Sequence, residues 1–444
     1  MGHFNIIDFG AKSGELCTAA IQAAIDAADK SDDKLVIFPR GTFISGTLNL
    51  KGVSLFLKKG AVLMGSGNRE DYVHNGYTHN EMHVTTSLIY SIDNDDIRIY
   101  GDGTIDFNAR AFYSEERQIP ASGTALTPEQ AAECTKTYKF RPTQPMFFLR
   151  CKHVTVENIR MKDATCWTMS FNDCDDIRIT DLFIDNDPTI PNNDGMHFCG
   201  CRRVFVRGCN IVSGDDCIAL SGITDWDIPC EDVVISDCIL TSSSKAVVIG
   251  YMHSIVKNVN VSNCIIKDSN RAFCIMSSAG TGLVEHVQIN NVRLDSTAHA
   301  GNWWGNGEAL CIYAYFHHGD TYLDPIPQRN LDVSIRDINI TNLICTSENV
   351  IGMAGEDGMV RDINISGLTF ARKPVKNLGV KGELTVDVAP AKEKVEAPDM
   401  DRWIHIHNCE NVSISNAVAY PFEGRELTPS VFKSKNVVIN GVKY

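Results

Sequence analysis

One phrase returns along this chain and constrains its fold more than any other feature: a charged or Asn pair, then V/I-x-V/I, a polar pair, then more apolar residues. It reads KHVTVENIRM from Lys152, DDIRITDLFI from Asp175, RRVFVRGCNI from Arg202, EDVVISDCIL from Glu231 and KNVNVSNCII from Lys257. Further copies begin at Asp95, Glu285, Leu331, Arg361, Glu410 and Lys435. Between the first apolar positions, from Ile97 to Val437, seven of the ten steps lie between 23 and 30 residues.

Each copy alternates apolar and polar residues over a few positions, the pattern of a half-buried strand, and Asn, Asp, Ser or Gly punctuates the turns. A coil of that size cannot bury its apolar face alone, so successive coils must stack. The expected fold is all-β: a single-stranded parallel β-helix. A leucine-rich repeat has a similar period, but the inner positions here are Val and Ile rather than regularly placed Leu. The segment Thr18–Ala28 has helical spacing and is expected to cap the open end of the stack, with Thr18 as its N-cap. Long steps mark insertions near residues 107–145, 298–330 and 372–401, which belong to loops and often build a binding face. A length of 444 residues would allow about three domains at ~150 each, but no Gly-, Ser- or Pro-rich linker interrupts the repeats, so residues 1–444 read as one domain.

Lys+Arg 41 against Asp+Glu 55 gives a net charge of −14, which argues against nucleic acid as a partner. No run approaches the ~18 apolar residues of a membrane span, and the opening MGHFNIIDFG lacks a secretory pattern. The sixteen cysteines contain no C-x-x-C pair. The expectation is a soluble cytoplasmic protein with free, mostly buried thiols. Cys209, Cys238 and Cys264 fall at the same place in consecutive phrases and read as a core column. Oligomeric state leaves no mark on the sequence.

Two turns carry acids that strands do not require: IPNNDGMHF, with Asn193, Asp194 and Gly195, and VSGDDCIAL, with Asp215 and Asp216. Asp-Gly and Gly-Asp-Asp are ordinary turn formers when taken singly. Asp194 and Asp215 are 21 residues apart, about one coil, so the turns should stack near the ~4.8 Å interstrand spacing. Three carboxylates that close raise at least one pKa, which lets one acid donate a proton while others stay ionised.

These motifs resemble glycoside hydrolase family 28, the polygalacturonase family of right-handed parallel β-helices. Further pieces fit: IIDFGAKSGE, AIQAAIDAA, VIFPRGTFISGTLNLK, GAVLMGSGNREDY, Arg141–Pro142 and CWTMSF around Trp167. The resemblance implies that Asp215 is the general acid and that Asp194 and Asp216 activate water from the opposite face, inverting the anomeric carbon. Inverting pairs usually stand ~6.5–9.5 Å apart, farther than directly stacked turns would place them.

Two motifs of the family are absent. Its Gly-His-Gly turn is replaced by Ser244, Lys245 and Ala246, with His253 eight residues late. Its Arg-Ile-Lys triplet is replaced by Cys274, Ile275 and Met276, with Arg271 upstream. A uronate needs charge-assisted partners, so that role falls on Lys245 and Arg271. Glu308 aligns with the family's active-site Tyr and suits sugar hydroxyls better than a uronate. Trp303 and Trp304 are candidates to stack on a pyranose ring, or to anchor their loop. Asn193 completes the expected substrate contacts.

The expected function is an exo-acting, inverting glycosidase of pectin-derived oligosaccharides, galacturonosidase-like, with no cofactor and no metal. The alternatives are a glycosidase for a neutral or deoxy sugar and a carbohydrate-binding β-helix without catalysis. A pectate-type lyase would hold Ca²⁺ among several carboxylates, whereas these acids match hydrolase positions. His197, Cys199 and Cys201 in HFCGC, and the pair His317–His318, fit no common zinc spacing, and strand alternation accounts for the first three.

Overall fold

The computed structural model describes residues 4–79, 83–120, 125–222, 228–251, 254–277, 282–315, 334–356, 358–377, 385–389, 395 and 399–444. His253 and the pair His317–His318 lie outside them.

The repeat phrase builds one corner and one strand of each coil. In Arg202–Arg207 the burial alternates, with Val204 and Val206 inward and Arg203, Phe205 and Arg207 outward. The second residue of the opening pair turns the corner in the left-handed region: Asp96, His153, Asp176, Arg203, Asp232, Asn258, His286, Asp362, Asn411 and Asn436 all have φ between 52° and 59°. Asn and Asp accept that conformation more readily than other residues with a Cβ, which explains their frequency there. A second corner follows each strand, at Asn158, Asp181, Asp237, Asn263, Asn291, Asn342 and Asn416, again with positive φ. Neighbouring corners are tied by side-chain amides, as Asn291 Nδ2 donates to Asn263 Oδ1 at 3.4 Å and Asn342 Nδ2 to Asn291 Oδ1 at 3.1 Å.

Each central coil contributes three strands, such as Met196–Cys199, Arg202–Arg207 and Asn210–Ser213. Each strand pairs in parallel with its counterpart one coil away: His197 with Ser170 and Ala219, Val204 with Ile177 and Val233, Ile211 with Ile184 and Leu240. Among the described residues, the first strands form a 12-stranded sheet from Leu48–Asn49 to Thr428–Phe432. The chain is thus a parallel β-helix. Its core is a stack of Val, Ile and Leu, with a Phe pile in which the rings of Phe148, Phe171 and Phe198 lie 5.0 and 5.2 Å apart and nearly parallel.

The helix Thr18–Asp29 closes one end by burying Ile21, Ala24, Ile25 and Ala28. Its N-cap is Cys17 and not Thr18, which is already inside the first turn; the Thr18 hydroxyl instead accepts the Gly46 N–H at 2.8 Å. All sixteen cysteines are free and buried. Cys209, Cys238 and Cys264 each donate to a carbonyl two residues earlier, at Arg207, Ser236 and Ser262.

The 12-stranded sheet departs from half-burial. Met196–Cys199, Lys245–Ile249, Arg271–Ser277 and Glu308–Ala314 are buried on both faces. Something therefore covers the outer face of this sheet, and the insertions supply it. No helix of the described residues is long and apolar enough to cross a membrane.

Candidate active site

The turns that lead into this outer-covered sheet lie one above another. Thr168 N–H donates to Asp194 O at 2.9 Å, Gly195 N–H to Asp216 O at 2.9 Å and Cys217 N–H to Lys245 O at 3.2 Å. Two glycines permit this stacking: a Cβ at Gly195 would stand 2.5 Å from Cys217 O, and one at Gly214 2.4 Å from Ile190 O. The aligned residues Met169, Met196, Ile218, Val247, Phe273 and Leu310 set the register. Two positions before each of them stand Trp167, Asp194, Asp216, Lys245, Arg271 and Glu308. One column therefore carries the charges −, −, +, +, − on consecutive coils.

Asp194 and Asp216 are buried and Asp215 is half-buried. The backbone carbonyl of Asp215 accepts the hydroxyls of Ser213 and Ser242, which fixes the turn, and Asn192 Nδ2 donates to its Oδ2 at 3.4 Å. Asn192 Oδ1 accepts from Arg141 at 2.8 Å, and the same guanidinium donates to Tyr113 Oη at 2.7 Å and lies over the Tyr138 ring. Burial pushes the Asp216 carboxyl well above the usual carboxylate range, and the neighbouring Asp215 and Asp194 add to it; Lys245, 3.2 Å away, works against the shift. Burial alone would lower the Lys245 ammonium, but Asp216 and Asp215 outweigh it and push the pKa up to about 12. Lys245 Nζ also sits 4.5 Å from the Trp304 ring centroid.

These residues share a cleft lined by Trp167, Asn192, Asp194, His197, Asp215, Asp216, Ala219, Ser221, Lys245, Val248, Gly250, Tyr251 and Trp304. Of the expected residues, the structure gathers Asp194, Asp215, Asp216, Lys245 and Trp304 here. It places four others elsewhere. Asn193 is fully buried: its Oδ1 accepts the Gly214 N–H and its Nδ2 donates to Asp187 O, so it clamps the two turns together. Trp303 anchors its loop through Nε1, which donates to Glu133 O at 2.8 Å. Arg271 and Glu308 are fully buried one and two coils beyond Lys245, 3.6 Å apart, with Arg271 also 3.1 Å from Asp387. Neither offers a substrate a polar atom.

Among the polar cleft residues that the sequence did not mark as part of the site are His197 and Asn192. Alternation places Met196 and Phe198 in the core, so His197 must face outward; what it faces depends on the distant loops. Its Nδ1 is 3.2 Å from Asp194 Oδ2, its Nε2 is 3.0 Å from Ser221 Oγ, and the Trp167 ring lies 3.8 Å away.

The outward column Ala219, Val248, Cys274 and Cys311 shows where the cleft ends. Its first two members floor the cleft, and Val386 and Val388 of the third insertion pack over the continuation. The three insertions also meet at Glu133. Its carboxylate accepts the Ala300 N–H at 2.8 Å and Asn377 Nδ2 at 3.0 Å and pairs with Lys376. Among the described residues no group of three or more His, Cys, Asp or Glu is placed to hold a metal ion.

A parallel β-helix with three carboxylates on stacked turns lining one cleft is the framework of a glycosidase. Residues 34–303 match the model for glycosyl hydrolases family 28, and the chain belongs to that family. It is 21% identical to the polygalacturonase of Persea americana over 359 residues, 79% of this chain and 69% of that one. It is 24% identical to a probable polygalacturonase of Vitis vinifera over 404 residues, 82% and 74% of the two chains. The fold is similar to that of the family 28 exopolygalacturonase of Yersinia enterocolitica, with a TM-score of 0.72 at 18% identity over 99% of this chain and 79% of that one. It is also similar to a hyperthermoactive exopolygalacturonase from Thermotoga maritima, with a TM-score of 0.68 at 18% identity over 94% and 91%.

Proposed function

We propose that this glycosidase removes sugar units from the end of short pectin-derived oligosaccharides, with inversion at the anomeric carbon. Asp215 protonates the glycosidic oxygen, and Asp194 and Asp216 hold and deprotonate the attacking water. The polygalacturonase relatives support the substrate class. The observation that carries the exo reading is the third insertion: Val386 and Val388 join the apolar cluster on the outer face of the sheet beyond Val248, and Cys311 Sγ donates to Asp387 O there, a position from which this insertion would bar a long chain on that side. The test is a product time course on defined oligogalacturonides and on polygalacturonan. Single end units should accumulate from the first turnovers while polymer viscosity stays nearly constant. An early fall in viscosity overturns exo action, and turnover that persists in Asp215→Asn overturns the assigned acid.

One observation favours a second reading for the reacting sugar. Lys245 is the one Lys or Arg lining the cleft among the described residues, and it is already engaged by Asp216 and Trp304. A neutral or deoxy sugar would need no further cation. Comparing aryl glycosides with digalacturonate separates the two readings.

A further inference from the structure

We propose that His197 is a positioning residue of the hydrolysis: it holds the Asp194 carboxylate at a fixed angle to the cleft and keeps a proton between the two side chains. The inference rests on the reading of Asp194 as one of the two residues that activate water.

The imidazole is restrained on three sides. Nδ1 meets Asp194 Oδ2 at 3.2 Å, Nε2 meets Ser221 Oγ at 3.0 Å, and the Trp167 ring covers a face with centroids 3.8 Å apart. Its register neighbours on the same outward column are Ser170 and Ala219, small enough to leave room for the ring.

The hydrogen-bond inventory narrows what this ring can do. If the Ser221 hydroxyl donates to Nε2, the neutral ring carries its proton on Nδ1 and donates to Asp194. If Ser221 instead donates to Cys199 Sγ, 3.4 Å away, Nε2–H donates to Oγ. The Nδ1 contact then needs a proton from an imidazolium or from Asp194 itself. Both arrangements leave a proton between Nδ1 and Oδ2. Asp194 is thereby fixed by a directed bond and partly offset in charge, while Asp216 stands on the adjacent coil of the same column. Asp215, Asp216 and Lys245 are the other charged residues lining the same cleft among the described residues, and Ser221 meets Nε2 with Cys199 behind it. The turn where family resemblance places a supporting histidine holds Lys245, two coils away, so His197 supports the acids from a different strand.

Two variants and one spectroscopic measurement test the proposal. His197→Phe keeps a ring beside Trp167 but no donor; His197→Asn returns an N–H near the place of Nδ1. With melting temperatures near wild type, His197→Phe should lose about 100-fold in kcat with KM changed only a few-fold, the scale of a misplaced catalytic group. His197→Asn should recover at least about tenfold of that loss, and the acid limb of the pH profile should move in His197→Phe. Wild-type kcat and pH profile in a folded His197→Phe overturn the proposal. Histidine-specific ¹⁵N NMR judges it without turnover: the His197 pKa should fall by about one unit or more in Asp194→Asn, where the carboxylate charge is gone. An unchanged value also overturns it. Absence of wild-type activity on every pectic oligosaccharide would defeat the functional reading and leave the spectroscopic result standing.

Discussion

The Glu133 carboxylate accepts the Ala300 backbone N–H at 2.8 Å across 167 residues of sequence. The first insertion is tied to the second at this contact, and Lys376 and Asn377 of the third close on the same carboxylate.

Glu133→Ala should therefore loosen all three insertions together. The orphaned Ala300 N–H alone costs about 1–3 kcal/mol, and amide exchange over residues 298–306 and 374–377 should accelerate. Acid should act in the same way. Burial would raise the Glu133 pKa, but Lys376 and the Ala300 N–H outweigh it and hold the carboxyl below its ordinary value. Its stabilisation is therefore full above the unfolded value of ~4.3 and fades as pH falls through the lower folded value. Exchange in these segments that does not change across that window would rule out the tie.

Lys245→Met should shift the acid limb of kcat/KM to higher pH. Asp216 is already hard to ionise because it is buried beside two carboxylates, and Lys245 is the main influence opposing that. Removing the ammonium raises the Asp216 pKa further, so the base form appears later in a titration. An unmoved limb would mean that turnover does not need ionised Asp216.

Arg271→Met should destabilise the fold by about 3–5 kcal/mol, because it leaves Glu308 buried without its ion-pair partner. Changing Glu308 to Met as well should recover only part of the loss, because the Glu308 carboxylate also accepts the Asn306 and Asp387 N–H groups. Urea midpoints of the two variants and the double variant decide it, and equal losses in single and double would refute the pairing.

Arg141→Lys should lower kcat about tenfold, the effect of a small displacement at the acid, and should also lower stability, because the buried guanidinium donates to Pro191 O as well. A lysine cannot reproduce the fork that joins Asn192 Oδ1 to Tyr113 Oη, and Asn192 holds Asp215. Kinetics on a defined oligosaccharide would expose an unaffected kcat.

The β-helix was legible because each coil repeats the same local physics: an apolar pair facing in and a left-handed corner that admits Asn or Asp. Asp194 stood out from that background, as did Asp215 and Asp216. Placement within the column did not, since it depends on what covers the outer face. Asn193 and Asn192 are adjacent and identical in type, yet the first clamps two turns while the second, at φ 57°, reaches the cleft. Arg271 and Glu308 lie on the right column but past the point where Val386 and Val388 descend. The joining of three insertions through Glu133 links residues over 160 apart, which no repeat period encodes.

The column Trp167, Asp194, Asp216, Lys245, Arg271, Glu308 has a further consequence. The carbonyls of Asp194, Asp216 and Lys245 each accept the same backbone hydrogen bond from the preceding coil, although one rung displays a base where the others display acids. Substrate preference and architectural support are thus written at one address per coil, and the boundary between them is drawn by a loop rather than by the helix. Moving that loop by one rung would turn a structural arginine into a substrate contact without altering a single strand, so relatives on this scaffold can diverge in specificity faster than in fold.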